Sequence, residues 1–255
     1  MNPVAFNLFG IAIRWYGIII TAGILLAILT AYYRAESYEI NFDDILDIFI
    51  IALPCAIIGA RLYYVIFNWS YYQMDILKMI NIREGGLAIH GGLLGAFISS
   101  YFIARKKSMN YINLLDLVAP SIILGQAIGR WGNFFNMEAH GEVVSKSFIS
   151  HFPSFIQKGM LIDGSYYNPT FLYESMWNIL VFIILLIVSR NKTRRGLTFG
   201  LYLILYSIGR FVIEGLRTDS LMLGPIRVAQ LISLIFIVVG LIIIFIKFPY
   251  KEKRV

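Results

Sequence analysis

Apolar residues run along this chain in stretches too long for the core of a small soluble protein. Seven can be read, at roughly 15–33, 45–67, 87–104, 114–131, 170–189, 197–215 and 226–247. A bilayer core is about 30 Å thick, so a helix of about 20 apolar residues spans it. Trp and Tyr stand at several of the ends, as interfacial anchors do, among them Trp15, Tyr16, Tyr33, Trp69 and Trp131. The pattern predicts an all-α integral membrane protein, a bundle of about seven transmembrane helices that satisfy their own backbone donors. Residues 1–255 read as a single polytopic membrane domain. Within it, the 38-residue connection 132–169 is long enough for a small extracytoplasmic cap. Its tail, Gly164 to Thr170, reads as a turn and a helix start, with Asn168 or Thr170 near the N-cap and Pro169 in the first turn.

Composition agrees with the pattern. The chain is 58% apolar and 15% charged, against about 25% charged in an ordinary soluble domain. The net charge of +7 does not point to nucleic acid, because cationic cytoplasmic loops account for it. With the N-terminus outside, cytoplasmic segments hold 12 Lys and Arg, outer segments 7, and the spans themselves 3. That asymmetry predicts an outer N-terminus and a cytoplasmic C-terminus. No cleavable signal peptide is apparent, so the first span is expected to act as the insertion signal. The lone Cys55 allows no internal disulfide and reads as a small core residue.

The polar residues inside the spans are the informative ones. A charge at the bilayer centre costs about 2.5–3.5 kcal/mol on insertion scales. Yet the fourth span ends in Arg130, Asn133, Asn136 and Glu138, and the sixth in Tyr206, Arg210 and Glu214. In the predicted orientation, Tyr16, Arg61, His90, Tyr173 and Glu174 also fall at the outer ends of their spans. Each has an ordinary explanation by itself. Arg210 and Glu214 are four apart and can pair on one helix, Arg130 can snorkel, and His90 can be a packed core histidine. Together, six spans place polar groups at one membrane level. The surplus of arginine predicts a site for an anionic group there, and a phospholipid phosphodiester is the ligand most at hand. The glycines around His90 (Gly85, Gly86, Gly91, Gly92, Gly95) fit either close approach of a lipid or tight helix packing.

The chemistry on offer is narrow. There is no zinc-site spacing, no GxSxG elbow and no P-loop. His90 is available as a proton acceptor and the arginines as stabilisers of negative charge. No obvious covalent nucleophile accompanies them, which suits direct transfer between two bound substrates.

At this point six stretches carry a resemblance. They are Gly129-Arg-Trp-Gly-Asn-Phe-Phe-Asn-x-Glu138 with Gly141, Ile89-His-Gly-Gly-Leu-Leu-Gly95, Arg14-Trp-Tyr-Gly17, Gly59-Ala-Arg-Leu-Tyr-Tyr64, Pro169-Thr-x-Leu-Tyr-Glu174 and Arg210-Phe-x-Ile-Glu-Gly-x-Arg-Thr-Asp219. They resemble the signatures of bacterial phosphatidylglycerol–prolipoprotein diacylglyceryl transferases, in family order over nearly the whole chain. The resemblance implies a seven-helix enzyme of the bacterial inner membrane. It implies transfer of diacylglyceryl from phosphatidylglycerol to the lipobox cysteine of a prolipoprotein, with release of glycerol phosphate and no cofactor. It matches the family's essential histidine to His90 and its phosphatidylglycerol-binding arginine to Arg130. It matches further functional positions to Tyr16, Asn133, Asn136, Glu138, Gly141, Tyr206, Arg210 and Glu214. Catalytic parts are then expected of His90, Arg210 and Tyr16, and lipid binding of the rest, with no metal. Glu138 and Glu214 are expected to hold the arginines. The chain departs from the family pattern at Met137, His140, Asn168 and Phe171. The alternative from another class is a transporter or flippase for an anionic lipid. It is disfavoured because such sites lie near the midplane between repeats, and no repeat is visible here.

Overall fold

A computed structural model of the chain describes residues 2–82, 85–190 and 194–246. Arg83, Lys192 and the basic tail from Lys247, all counted in the charge asymmetry, lie outside the described residues, as does Glu84. A hairpin of β1 (Val4–Leu8) and β2 (Ile11–Arg14) leads into α1 (Trp15–Ala35). Then follow α2 (Phe42–Phe67), the short helices α3 (Trp69–Tyr72) and α4 (Ile76–Ile80), α5 (Ile89–Lys106) and α6 (Tyr111–Phe135). The connection after α6 holds β3 (Val143–Val144), α7 (Lys146–Ile149), α8 (Ser154–Gly159), β4 (Leu161–Ile162) and β5 (Ser165–Tyr167). The chain continues as α9 (Thr170–Val188), α10 (Leu197–Glu214), the pair β6 (Met222–Leu223) and β7 (Ile226–Arg227), and α11 (Val228–Phe245).

Each long helix falls on one predicted span. Six of them, α1, α2, α6, α9, α10 and α11, are long and apolar enough to cross a membrane. The 18-residue α5 is less apolar, with His90 near its start and Arg105 and Lys106 in its last turn. One boundary expectation is corrected. Pro169, not Asn168 or Thr170, occupies the N-cap of α9, and Thr170 is its first helical residue. Proline suits the position because it brings no amide hydrogen that would go unpaired.

The chain divides into two compact units, Met1–Tyr33 with Leu115–Val255, and Arg34–Leu114. In the second unit α2 and α5 pack backbone to backbone. A Cβ on Gly91 would run into the Gly59 carbonyl and the Tyr63 side chain, and one on Gly95 into the Cys55 carbonyl. The two readings left open for Gly91 and Gly95 are thereby decided in favour of helix packing, the way small residues let membrane helices approach. Cys55 is half-exposed rather than deep in a core.

At the other end of this pair, Lys107 reaches Asp44 Oδ1 at 2.5 Å and Asp47 Oδ2 at 2.7 Å. The hydrogen bond to Asp44, then that to Asp47, raises the Lys107 pKa above the usual lysine value of 10.5. A raised pKa means this tie is fully present below 10.5 and is lost as pH climbs through the raised value. Lys107→Met is therefore expected to lower the thermal midpoint slightly at pH 8. The difference should shrink as pH is taken above 10.5.

In the first unit α10 packs on α11 through Gly200 and Gly240, whose Cβ positions are closed by each other's carbonyls at 2.9 and 2.7 Å. The start of α10 is fixed from a distance. Asp116 on α6, only 3% exposed, accepts hydrogen bonds from Gly196 N at 2.6 Å and Phe199 N at 2.8 Å. A carboxylate there satisfies amides that the first turn leaves unpaired and opposes the positive end of the helix dipole. Asp116→Ala is expected to destabilise by about 1–3 kcal/mol, read as a lower midpoint of thermal unfolding in detergent, with Asp116→Asn milder.

The 132–169 connection is a compact cap, a three-stranded antiparallel sheet in the order β3-β5-β4 with α7 and α8 against it. Its core is Phe134, Ile149, Ile156, Met160 and Phe171. Phe171, one of the departures from the family pattern, is 2% exposed and stacks on Phe134 at 4.6 Å. It serves as the apolar floor of the cap.

Candidate active site

Three helices of the first unit bring charged side chains together. On α10, Tyr202, Tyr206, Arg210 and Glu214 recur every four residues, so they share a face, and Tyr202 stacks on Tyr206 at 5.9 Å. On α9, Phe171, Glu174, Ser175 and Asn178 make up a buried face. Ser175 pins that face to α6, accepting from Trp131 Nε1 at 3.1 Å and donating to the Ala127 carbonyl at 2.9 Å. Arg130 sits in the last turns of α6.

Glu174 is the hub. One oxygen lies 2.5 Å from Arg130 Nε, the other 2.6 Å from Arg210 Nη1 and 3.9 Å from Arg217 Nη1. Arg210 turns its second nitrogen to Glu214 Oε2 at 2.6 Å. The Glu214 carbonyl receives Arg227, and Arg217 also holds Asp219 in a fork of two 3.0 Å bonds. Tyr206 lies beside Arg130, within hydrogen-bonding range. Four guanidinium groups thus face three carboxylates, an excess of one positive charge. The burial is asymmetric. The Glu174 and Glu214 side chains are 5% and 2% exposed, whereas those of Arg130 and Arg210 keep 19% and 16%. The carboxylates anchor the arginines from behind and leave donors in front, an arrangement suited to a phosphate-sized anion.

Of the residues singled out in the sequence, Arg130, Tyr206, Arg210 and Glu214 are brought together in this one cluster. Two residues that the sequence reading left out of the expected site take on weight here: Glu174, which binds more guanidinium groups than any other described carboxylate, and Arg217. The available signal was the shortage of carboxylates near intramembrane arginines. It was assigned in part to Glu138, and that is corrected here. Glu138 is exposed and accepts from Asn136 Nδ2 at 3.4 Å, and among the described residues it makes no ion pair. It lies beyond the end of α6, past the turn that would have aimed it at Arg130.

Other predicted residues fall nearby in the chain but do different work. Tyr16 lies against Gly132, where a Cβ would come within 2.9 Å of its ring. With Asn136, Arg14, Gly17 and Thr21 it lines an open, mostly apolar groove of about 740 Å³. The Asn133 carbonyl accepts from Glu138 N at 3.0 Å and closes the turn after α6. Met137 and Ala139 both take left-handed backbone in that turn, at φ of 55° and 58°. Such backbone persists where surrounding contacts over-determine it. Here Thr170 Oγ1 donates to the Ala139 carbonyl at 2.6 Å. Gly141 pairs with Arg217 through backbone and has no space for a side chain, with Leu216 O at 2.8 Å and Asn168 Cβ at 2.9 Å from a built Cβ. It joins the cap to the segment that carries Arg217. His140, another departure from the family pattern, packs its ring on Tyr167 at 4.2 Å.

His90 and Arg61 belong to the second unit. His90 is half-buried near the start of α5, its ring tilted toward Tyr63 at 6.1 Å. Arg61 is not an anion site. It is 8% exposed and its donors are taken by backbone carbonyls.

The sequence of this bundle matches the family model "Prolipoprotein diacylglyceryl transferase" over residues 3–246. The chain belongs to that family. It is 63% identical to a phosphatidylglycerol–prolipoprotein diacylglyceryl transferase of Clostridium novyi over 253 residues, covering 99% of this chain and 98% of the relative. Relatives of the same name from Clostridium kluyveri and Clostridium botulinum are 54% and 53% identical, each covering 100% of both chains.

Proposed function

We propose that this bacterial membrane transferase moves the diacylglyceryl group of phosphatidylglycerol onto the lipobox cysteine thiol of prolipoproteins. The observation that carries the reading is the Arg130–Glu174–Arg210 cluster, with buried carboxylates behind and guanidinium donors in front.

The chemistry follows from what the substrates lack. A free thiol has a pKa near 8.5, so only about 3% is thiolate at pH 7. A base has to take its proton, and His90 is assigned that part. The thiolate sulfur attacks the glycerol carbon that bears the phosphate. The C–S bond forms, the C–O bond breaks with its electron pair leaving on oxygen, and glycerol phosphate departs. Negative charge grows on that phosphate oxygen, and Arg130 with Arg210 stabilises it as preorganised donors do. Tyr206 and Glu214 hold the two arginines. Tyr16, Asn133, Asn136, Glu138 and Gly141 are assigned to placing the lipid headgroup. The competing role assignment gives thiol activation to Arg210 through its field and leaves His90 to orient substrate. The scheme places the enzyme in the cytoplasmic membrane with its N-terminus outside and the site toward the outer leaflet. The excess of Lys and Arg in the predicted cytoplasmic loops supports that orientation.

The test is transfer of labelled diacylglyceryl from phosphatidylglycerol vesicles to a lipobox peptide by the purified protein. Wild type is expected to form thioether, and His90→Gln to lose about 10²–10⁴-fold in rate, the usual worth of a general base. A His90→Gln protein that keeps its rate transfers the activating role to Arg210. A wild type that forms no thioether removes the reading.

A further inference from the structure

The second unit holds a buried cation for which the reaction has no use. We propose that Arg61 is the positioning residue that sets His90 in place, acting through the backbone rather than on substrate. The proposal rests on the assignment of His90 as the base.

Arg61 makes four hydrogen bonds to carbonyls. Nε donates to Met79 O at 2.9 Å, Nη2 to Lys78 O at 2.6 Å, and Nη1 to both Gly85 O and Gly86 O at 2.9 Å. Its guanidinium carbon lies 5.0 Å from the Tyr72 ring centroid and 6.0 Å from that of Tyr64. Among the described residues no carboxylate pairs with it. A planar fork with five donors can serve four diverging carbonyls, and a lysine ammonium cannot. Gly85 and Gly86 both have positive φ, +85° and +75°, which turns their carbonyls onto the arginine. A Cβ on Gly86 would meet the Arg61 guanidinium and the Tyr64 ring.

The clip continues straight into α5. Ala88, the residue before that helix, donates its N–H to the Ala60 carbonyl at 3.0 Å. Gly91 lies with its backbone against that of Gly59. Three successive residues of α2 therefore hold the start of α5: Arg61 the approach, Ala60 the residue before the helix, and Gly59 its first turn. His90 stands between Ala88 and Gly91. Its backbone is fixed on both sides, so the imidazole is presented from a rigid point although it is only the second residue of its helix. Proton abstraction demands that rigidity, because about 1 Å of misplacement can cost 10²-fold in rate.

The experiment uses the full chain in nanodiscs and compares wild type, Arg61→Lys, Gly86→Ala, His90→Gln and the Arg61→Lys/His90→Gln double variant. Three quantities are read: kcat and KM for phosphatidylglycerol, and the rate of His90 modification by diethyl pyrocarbonate. Modification is followed by peptide mass spectrometry, with His140 and His151 as internal controls. Arg61→Lys and Gly86→Ala are expected to lower kcat by about 10–100-fold with KM within about threefold. The His90 modification rate should change by about threefold or more while both controls stay put. In the His90→Gln background the Arg61 substitution should cost less than about twofold, because the residue it positions is gone. Equal losses in both backgrounds, with His90 modification unchanged, would show that Arg61 only supports the fold and overturn the proposal. Gly86→Ala disturbs the same clip from the other side, so the same readouts on that variant decide the matter if Arg61→Lys does not fold. A His90→Gln variant at wild-type rate sinks the base assignment instead. The modification rate then decides by itself whether Arg61 places His90.

Discussion

Arg130→Ala is expected to slow diacylglyceryl transfer by about 10²–10³-fold at saturating phosphatidylglycerol, the loss seen when one preorganised donor to a developing oxyanion is removed. Arg130 meets Glu174 at 2.5 Å through its Nε and has Tyr206 beside it, while its side chain stays 19% exposed, so part of the guanidinium is open to a ligand. Charge on the departing phosphate is larger in the transition state than in the bound lipid. The loss should therefore fall more on kcat than on KM. Arg130→Lys should recover only part of it, since an ammonium cannot grip Glu174 and a phosphate in two directions at once. Steady-state kinetics on phosphatidylglycerol vesicles with a lipobox peptide would check this. A variant that changes KM alone would make Arg130 a docking residue with no part in the chemical step.

Glu174→Ala should act on the protein before it acts on the rate. Glu174 is 4% exposed and contacts Arg130, Arg210 and, more loosely, Arg217. Its removal leaves guanidinium groups partly buried with no counter-charge. Breaking a buried pair by deleting one partner costs about 3–5 kcal/mol, so a large drop in the thermal midpoint is expected. Glu174→Gln keeps the shape and one acceptor oxygen. It should be better folded and still lose about 10²-fold in rate, because Arg130 and Arg210 no longer share an anchor. Thermal unfolding and transfer rate measured on both variants decide this. Wild-type values in Glu174→Ala would show that the hub has no consequence and that Glu214 suffices.

The two results would also explain why the cluster tolerates burial. A lone intramembrane arginine is costly, but here the cost is shared within an ion network whose excess of one positive charge is available to a ligand. The same principle governs Arg61 by another route. Its charge is met by four carbonyl dipoles and two aromatic faces, with no carboxylate paired to it among the described residues, so those donors are already engaged. Counting intramembrane arginines put Arg61, Arg130 and Arg210 in one class. Their partners separate them.

The sequence by itself determined the membrane class and the positions of the long helices. Apolar length and helical period are local properties, and no distant contact is needed to make residues 170–188 or 228–245 prefer lipid. It also determined the face that carries Tyr206, Arg210 and Glu214, because four-residue spacing on one helix places them together without help. The motifs sufficed for the family. Only the tertiary structure decided which carboxylate holds the arginines. Glu138 and Glu174 stand 36 positions apart, and pairing with Arg130 depends on how α9 lies against α6, which Ser175 and Trp131 set. Only the tertiary structure decided that Gly91 and Gly95 serve packing, since a glycine looks the same whether a lipid or a neighbouring carbonyl fills the space beside it. And only the tertiary structure turned Asp116 into the cap of a helix 80 residues away. A buried polar group takes the partner that the fold brings to it, and chain order does not say which one that is.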